Sequence, residues 1–338
     1  MMHLSELIDT GHLINYCLDP AHEDSFASEQ CLVNGNRIET KAPGILTIEP
    51  DGDTSGSILI SCGVHGNETA PIELTEQLFC DIISGSLVPR CRMMIILGNL
   101  PAMRINKRFC EENLNRLFKQ EAATHQNLET IRASEIMVQV DRFFDANDSE
   151  VRIHLDLHTA IRGSKYEKFA IYPHQADGNW QRPVMSWLSS ASIEAILLAN
   201  KPSGTFSCYT NSVHDALGFT VELGKARPFG SNDHSRLQQF KSALSKLLTK
   251  PELVISNQST LDCIVFNVVA EVLKHSDAFQ LNLSDDFENF SDIENGYKLT
   301  NDGDNSYYIN GDDKAVVFPN KNVPVGQRVA LIVEPYQK

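Results

Sequence analysis

The sequence predicts an α/β domain over residues 1–250 followed by a smaller, β-rich domain over residues 251–338. Two observations carry the first part: five apolar runs of strand length, and segments of helical period between several of them. A third carries the second part. After Pro251 the chain changes to short β-branched or alternating runs separated by Gly, Asn and Asp.

The strand runs are ILISCGV (58–64), MMIILGN (93–99), VRIHLDLH (151–158), KFAIYPH (168–174) and GFTVELG (218–224). After the first, Pro71 stands where a first helical turn tolerates it. Leu74, Leu78, Phe79, Ile82 and Ile83 then recur at three- and four-residue intervals, one face of a helix. The same period returns in Ile136, Val140, Phe143 and Phe144. It appears again in Leu237, Phe240, Leu244, Leu247 and Leu248, where Pro251 supplies the stop. Past that proline come VFNVVAEVL (265–273), AFQLNL (278–283), YKLT (297–300), YYIN (307–310), AVVFPN (315–320) and RVALIVEP (328–335). Residues 276–313 hold ten Asp or Glu against a single Lys, a pattern that reads as solvated turns between strands.

With 42% hydrophobic and 22% charged residues in 338, the chain has the material for a sizeable core. No stretch approaches the ~18 consecutive apolar residues of a membrane-spanning helix, so no membrane partner is expected. The start, MMHLSELIDTGHLINY, lacks a basic segment leading into an apolar one. Neither a secretory signal nor an Arg-rich transit sequence is expected, and the expected compartment is the cytoplasm. Eight cysteines (Cys17, Cys31, Cys62, Cys80, Cys91, Cys110, Cys208 and Cys263) form no C-x-x-C pair and are scattered as buried thiols are, so no disulfide framework is expected. The formal net charge of −15 argues against nucleic acid and anionic membranes, which need concentrated Lys and Arg. Any anionic substrate must be drawn in by a local cluster of cations. Whether copies of the chain form a homo-oligomer is left open.

Four stretches carry chemistry. In HGNE, His65 and Glu68 are separated by two residues where an apolar run ends and a helix begins. A surface turn is one reading; the other is a wrapped loop that aims both side chains, each an established zinc ligand type, at one cation. In VRIHLDLHTA, Val151, Ile153, Leu155 and Leu157 alternate with Arg152, His154, Asp156 and His158. A half-buried strand would thus deliver a polar row to one face, with His158 at its end, where open α/β sheets build their sites. Together with His65 and Glu68, His158 completes a His₂Glu set that leaves a fourth zinc position for water or substrate. Structural zinc sites close with four protein ligands, often cysteines, so this set points to catalysis. Asp156 suits the support of a ligand, and His154 is read as packing structurally.

GFTVELG puts Phe219, Val221 and Leu223 on one strand face and Thr220 and Glu222 on the other. A carboxylate on so apolar a strand is either paired with a nearby cation or serves as a base of raised pKa. Finally, RINKRFCEENLNR (104–116) gathers Arg104, Lys107, Arg108 and Arg116 in an otherwise acidic chain. Such a run is a solvated face or a carboxylate-binding one, and Arg is suited to bidentate carboxylate binding.

In this order the four pieces resemble the zinc-dependent acyl-amino-acid hydrolases that group succinylglutamate desuccinylase with aspartoacylase, a family similar in fold to zinc carboxypeptidases. The match runs through GVHGNE, GN…R…NLNR from Gly98, DLHTAIRGS from Asp156 and VELGKARPFG from Val221, over most of the first 250 residues. DLHTAIRGS and ELGKARPFG look like the desuccinylase branch. The resemblance implies a mixed central sheet with helices on both faces, and one Zn2+ per subunit held by His65, Glu68 and His158. It implies that Glu222 is the base that activates water and returns the proton to the departing amine. Arg108 would polarise the scissile carbonyl, while Asn115 and Arg116 would grip a carboxylate of a small anionic N-acyl amino acid. Arg162, Lys225 and Arg227 are placed by position as further substrate ligands. The implied reaction is hydrolysis of N-succinyl-L-glutamate to succinate and L-glutamate, the last step of arginine breakdown by the arginine succinyltransferase pathway. The alternative is an aspartoacylase-like deacylase of another N-acyl amino acid; a non-catalytic zinc-binding protein on this fold is the reading outside enzymes. One departure stands out: where the family usually has Asp ahead of L-N-R, this chain has Asn113, so an orienting role based on charge is not expected there.

Overall fold

The computed structural model describes residues 3–24, 26–52, 54–119, 124–146, 151–255 and 260–337. Its strands are β1 (Gln30–Val33), β2 (Asn36–Ala42), β3 (Ile45–Pro50), β4 (Ser57–Cys62), β5 (Arg92–Leu97), β6 (Arg152–Ala160), β7 (Lys168–Tyr172), β8 (Ala195–Leu198), β9 (Leu217–Lys225), β10 (Ile264–Leu273), β11 (Gln280–Leu281), β12 (Ser291–Ile293), β13 (Thr300–Asn301), β14 (Lys314–Val317) and β15 (Arg328–Pro335). Its helices are α1 (Leu4–Thr10), α2 (Leu13–Leu18), α3 (Ala21–Asp24), α4 (Thr69–Ile83), α5 (Leu100–Arg104), α6 (Leu128–Asp145), α7 (Arg182–Ser190), α8 (Phe206–His214), α9 (Gln238–Thr249) and α10 (Glu252–Ile255).

Thirteen strands form one sheet in the order β1-β2-β3-β5-β4-β6-β9-β7-β8-β10-β15-β14-β12, while β11 pairs with β13 apart from it. At the centre β5, β4, β6 and β9 run parallel. Antiparallel β3 and β7 flank this quartet. The sheet is mixed, as expected.

The residues each strand buries explain the arrangement. Ile58, Ile60 and Cys62 of β4 and Met93, Ile95 and Leu97 of β5 enter one core, with Leu78, Phe79 and Ile82 of α4 and Leu244 and Leu248 of α9. Leu59, Met94 and Ile96 of the same two strands enter a second core on the opposite face, with Ile136, Val140 and Phe144 of α6 and Phe206 of α8. Strands covered on both faces must be apolar at nearly every position, which is why β4 and β5 read as unbroken runs. Each large side chain so buried contributes about 1.5–3 kcal/mol by leaving water. The helical periods in the sequence therefore mark the helices that cover the sheet.

Three features differ from expectation. Strand β6 is not half-buried: Ile153, Leu155 and Leu157 face the first core, and the polar row on the other face is buried as well, His154 and Asp156 at 0% exposure and His158 at 2%. α8 covers that row, with the Phe206 ring 4.4 Å from the His154 ring. Strands β1 to β3 and β8 extend the sheet without having been marked by the apolar runs. β2 does alternate in burial, yet its inward positions include Asn36 and Thr40, which hides the period; AILL of β8 is too short for its pattern to separate strand from helix. Of AFQLNL, YKLT and YYIN, only two-residue strands and a single bridge at Tyr308 form.

The sheet does not stop at Pro251. β10 pairs in parallel with β8 over Ile264↔Ala195 to Asn267↔Leu198, and β15, β14 and β12 follow in antiparallel order. Phe169 and Leu197, from before the proline, share a core with Phe266, Val268, Leu331 and Val333, from after it.

Candidate active site

From β4 the chain next adds a strand on one side, β5, whereas from β6 it next builds on the other side, towards β9. Opposite departures open a crevice at the C-terminal ends of β4 and β6. His65 and Glu68 follow β4, His158 lies near the end of β6, and Glu222 of β9 is its register partner. Packing explains why HGNE wraps. Gly63 has φ of +62°, and a Cβ there would fall 1.7 Å from Met103 Cε; a Cβ at Gly66 would lie 2.3 Å from the main chain of Ala102. Only glycine lets the turn press onto α5, and the pressed turn carries His65 and Glu68 to one point.

His65, Glu68 and His158 are buried, and a ligand atom of each lies within 4.8 Å of the others. His65 Nδ1 is 2.9 Å from Glu68 Oε1 and 3.2 Å from His158 Nδ1. His158 Nδ1 is 2.8 Å from Glu68 Oε2, which also accepts from Thr159 N at 3.1 Å. The outer nitrogens have supports: His158 Nε2 is 2.9 Å from Asp156 Oδ2, and His65 Nε2 is 2.9 Å from Asn113 Oδ1. Asn115 N donates to the same Asn113 oxygen at 3.1 Å, which fixes the orientation of the amide.

Both ring nitrogens of His65 face an acceptor, Nε2 the Asn113 amide oxygen and Nδ1 the Glu68 carboxylate. A neutral ring has one proton for the two, and with that proton on Nε2 a bare Nδ1 lone pair points at the carboxylate. The ring is neutral because burial and the charge of Arg108 push its pKa down to about 4. Lone pair against carboxylate is repulsive, and a cation between them removes the repulsion. Two imidazoles and a carboxylate, with their outer atoms hydrogen-bonded, are the donor set of an open zinc site. The residues present therefore fit the metal that the resemblance implies. Asn113 does orient His65, as a neutral acceptor where charge was the doubtful part.

Burial alone would neutralise the other members, yet their neighbours prevail. Asp156 and Glu68 hold His158 well above the ordinary imidazole range. Its close neighbours His65, His158 and Arg108 hold Glu68 well below the usual carboxylate range. Glu222 goes the other way: burial first and the Glu68 charge second push it up to about 8, and its buried Oε2 has no hydrogen-bond partner among the described residues. Behind the group, Asp156 accepts from Ser61 Oγ at 2.6 Å, and His154 is held by Ser61 and Thr210, each at 2.8 Å. His154 is thus a packed, bonded residue, as its position suggested.

A cavity of about 310 Å³ opens over these residues. Arg108 Nη1 reaches Glu68 Oε1 at 2.7 Å. Arg116 Nη1 donates to the Asn115 carbonyl at 2.6 Å, and Arg116 has no carboxylate partner among the described residues. Asn115 accepts from Phe206 N through Oδ1 at 2.9 Å and turns Nδ2 towards His158. Arg162 lines the cavity, but its Nη1 is given to the carbonyls of Ser284, Asp285 and Phe287. Lys225 and Arg227 are exposed and do not line it.

Two contributors carry little signal in the sequence. Glu129, in the first turn of α6, reads as an ordinary helix-start acid. Buried, it accepts from Asn99 Nδ2 (3.0 Å) and from the main-chain N–H groups of Cys110 (2.6 Å), Glu111 (3.2 Å) and Glu112 (3.2 Å), so it shapes the loop between Arg108 and Arg116. Arg328 also lines the cavity. Its only signal is a lone cation opening the apolar run RVALIVEP.

The model of the succinylglutamate desuccinylase/aspartoacylase catalytic domain matches residues 55–248, and that of the AstE/AspA barrel-sandwich hybrid domain matches residues 261–336. The chain belongs to this family. Within the family, the succinylglutamate desuccinylase of Chromobacterium violaceum is 40% identical over 326 residues, covering 93% of this chain and 98% of its own length. That of Pseudomonas fluorescens (strain Pf-5) is 40% identical over 332 residues, with 97% and 98% covered. Among solved structures, the succinylglutamate desuccinylase of Vibrio cholerae superposes with a TM-score of 0.87 at 33% identity, covering 96% of this chain and 94% of that one.

Proposed function

We propose that this family member is a zinc-dependent amide hydrolase that converts N-succinyl-L-glutamate to succinate and L-glutamate. The observation that carries the reading is the buried His65–Glu68–His158 group with the orphaned carboxylate of Glu222 beside it. Relatives named succinylglutamate desuccinylase, alike over nearly the whole length, support the substrate.

A bound Zn2+ supplies a Lewis acid and brings the pKa of water to about 7. Glu222 takes a proton from the attacking water and hands it to the departing amine of glutamate, a role suited to a carboxylate of raised pKa. Arg108 donates to the carbonyl oxygen as it gains charge; a donor so placed is worth ~3–4 kcal/mol of barrier. Arg116, which lacks a carboxylate of its own, takes one from the substrate, with Asn115 Nδ2 and the remaining N–H groups of Arg162 as further donors. These contacts fix the amide before attack. In this reading residues 1–250 form the catalytic domain and 251–338 the β-rich domain that walls the cleft. The step closes arginine breakdown by the arginine succinyltransferase pathway. The eight cysteines are free, which suits a reducing cytoplasm, and no described helix is long and apolar enough to cross a membrane.

The test is an assay of chelator-stripped and zinc-restored protein against N-succinylglutamate and N-acetylaspartate. Turnover of the first is expected, lost on stripping and regained with zinc, while Glu222→Gln keeps its metal and loses a factor of about 10²–10⁴ in kcat. Preference for N-acetylaspartate would assign the aspartoacylase-like activity instead. Hydrolysis indifferent to metal removal would sink the zinc reading.

A further inference from the structure

The cleft carries charges that the steps above do not use. Arg328 opens β15, Glu271 lies on β10 and Lys201 follows β8, and all three line the cavity that also holds Arg116 and Glu222. Lys201 Nζ is 2.8 Å from Glu271 Oε2, and Arg328 Nη1 is 3.6 Å from Glu271 Oε1. The Arg328 guanidinium also sits over the Phe318 ring, 5.9 Å from its centroid. Its side chain is therefore held on two sides and is 23% exposed.

Two cations share one carboxylate here, and Arg116 adds a third cation with none. Among these four groups three positive charges face one negative, in a chain whose formal net charge is −15. Arg116 and Arg328, largely removed from water and short of partners, are unfavourable until an anion arrives. Arg116 registers the shortage, since burial and the repulsion of Arg328 and Arg108 depress its pKa. A planar guanidinium held by Glu271 and Phe318 is oriented before any ligand binds, as bidentate carboxylate recognition requires.

The substrate of the reading above, on which this inference rests, has two carboxylates remote from the scissile amide: one on the acyl chain and one at the end of the glutamate side chain. We propose that Arg328, with Lys201 beside it, forms a carboxylate subsite by which the C-terminal β-rich domain binds one of these remote carboxylates and so selects substrates that possess it. Arg116 then serves a different carboxylate from the catalytic domain side.

The test removes the partners separately and together. Arg328→Met and the wild type are assayed with N-succinylglutamate, with N-butyrylglutamate, which lacks the acyl carboxylate, and with N-succinylnorvaline, which lacks the side-chain carboxylate. Arg328→Met is expected to lower kcat/KM for the full substrate roughly 100-fold. It should change little for the one analogue that lacks the matching carboxylate, and Arg328→Lys should recover part of the loss. Equal losses on all three substrates, or none, would overturn the subsite. Lys201→Met, at a half-exposed position, makes the same comparison if Arg328→Met does not fold. A wild type that fails to cleave N-succinylglutamate defeats the functional reading alone, because calorimetric binding of the intact compound then reports on the subsite. Binding lost in Arg328→Met supports it; absent binding, or equal binding to both proteins, overturns it.

Discussion

His158 stands between two carboxylates, 2.9 Å from Asp156 and 2.8 Å from Glu68, and the buried Oε2 of Glu222 has no hydrogen-bond partner among the described residues. Both pKa values are raised, so in metal-free protein at pH 7 His158 carries its extra proton and Glu222, titrating near 8, is mostly neutral. A divalent cation binds the deprotonated imidazole and disfavours the proton on Glu222. Metal uptake at pH 6.5 is therefore expected to release about one to two protons, fewer above pH 8, and apparent affinity should climb through this range. Calorimetry in buffers of different ionisation enthalpy measures the number, and a value of zero would contradict these charge states. Linkage gives a second sign: a folded carboxylate that titrates above its unfolded value costs the metal-free fold stability from about pH 4.5 upwards. At this scale the sequence was informative where spacing governs. Alternation in VRIHLDLH locates Asp156 and His158 on one face, and HGNE places two candidate ligands at a strand end. Asn113 was opaque for a physical reason: the N–H of Asn115, two residues on, turns its amide, but the His65 ring that it meets lies 48 positions away, and no local spacing encodes that contact.

Elements are held at the site by polar groups as much as by packing. α6 begins with a capping box, in which Asn127 Oδ1 accepts from Thr130 N and Thr130 Oγ1 accepts from Asn127 N, both at 2.8 Å. That start fixes Glu129, whose four accepted hydrogen bonds shape the loop ahead of Asn115 and Arg116. Glu129→Gln would turn an N–H2 group towards main-chain N–H groups. It is expected to cost about 2–3 kcal/mol of stability and to raise KM, as followed by thermal melting and steady-state kinetics. Wild-type melting together with a wild-type KM would show that the loop stands without the carboxylate. Strands β4 and β5 were legible because burial on both faces makes nearly every position apolar. β1 to β3 were not, because inward polar residues such as Asn36 and Thr40 break the period.

Across the whole molecule, composition marks the change at Pro251 but not the continuity of the sheet across it. Turn residues are local signals, whereas the pairing of β8 with β10 joins residues some 70 positions apart, Ala195 and Ile264. The same separation hid Glu271 and Arg328, which reach the cleft only through that pairing. A chain ending at residue 250 would bare the β8 edge and uncover Phe169 and Leu197, now packed against Phe266 and Leu331. Such a chain is expected to aggregate, and size-exclusion chromatography of the soluble fraction checks it; a monodisperse monomer would contradict the shared core.

The hydrogen-bonded join of β8 to β10 also bears on how molecules come and go. Two walls stitched into one sheet have no swinging door between them, so entry of the substrate and escape of two products must be managed by the rim. Outside the paired strands the cleft is rimmed by residues of the Pro319–Gln327 stretch, and turnover would be paced by small local rearrangements at that rim instead of by a large opening and closing of the molecule.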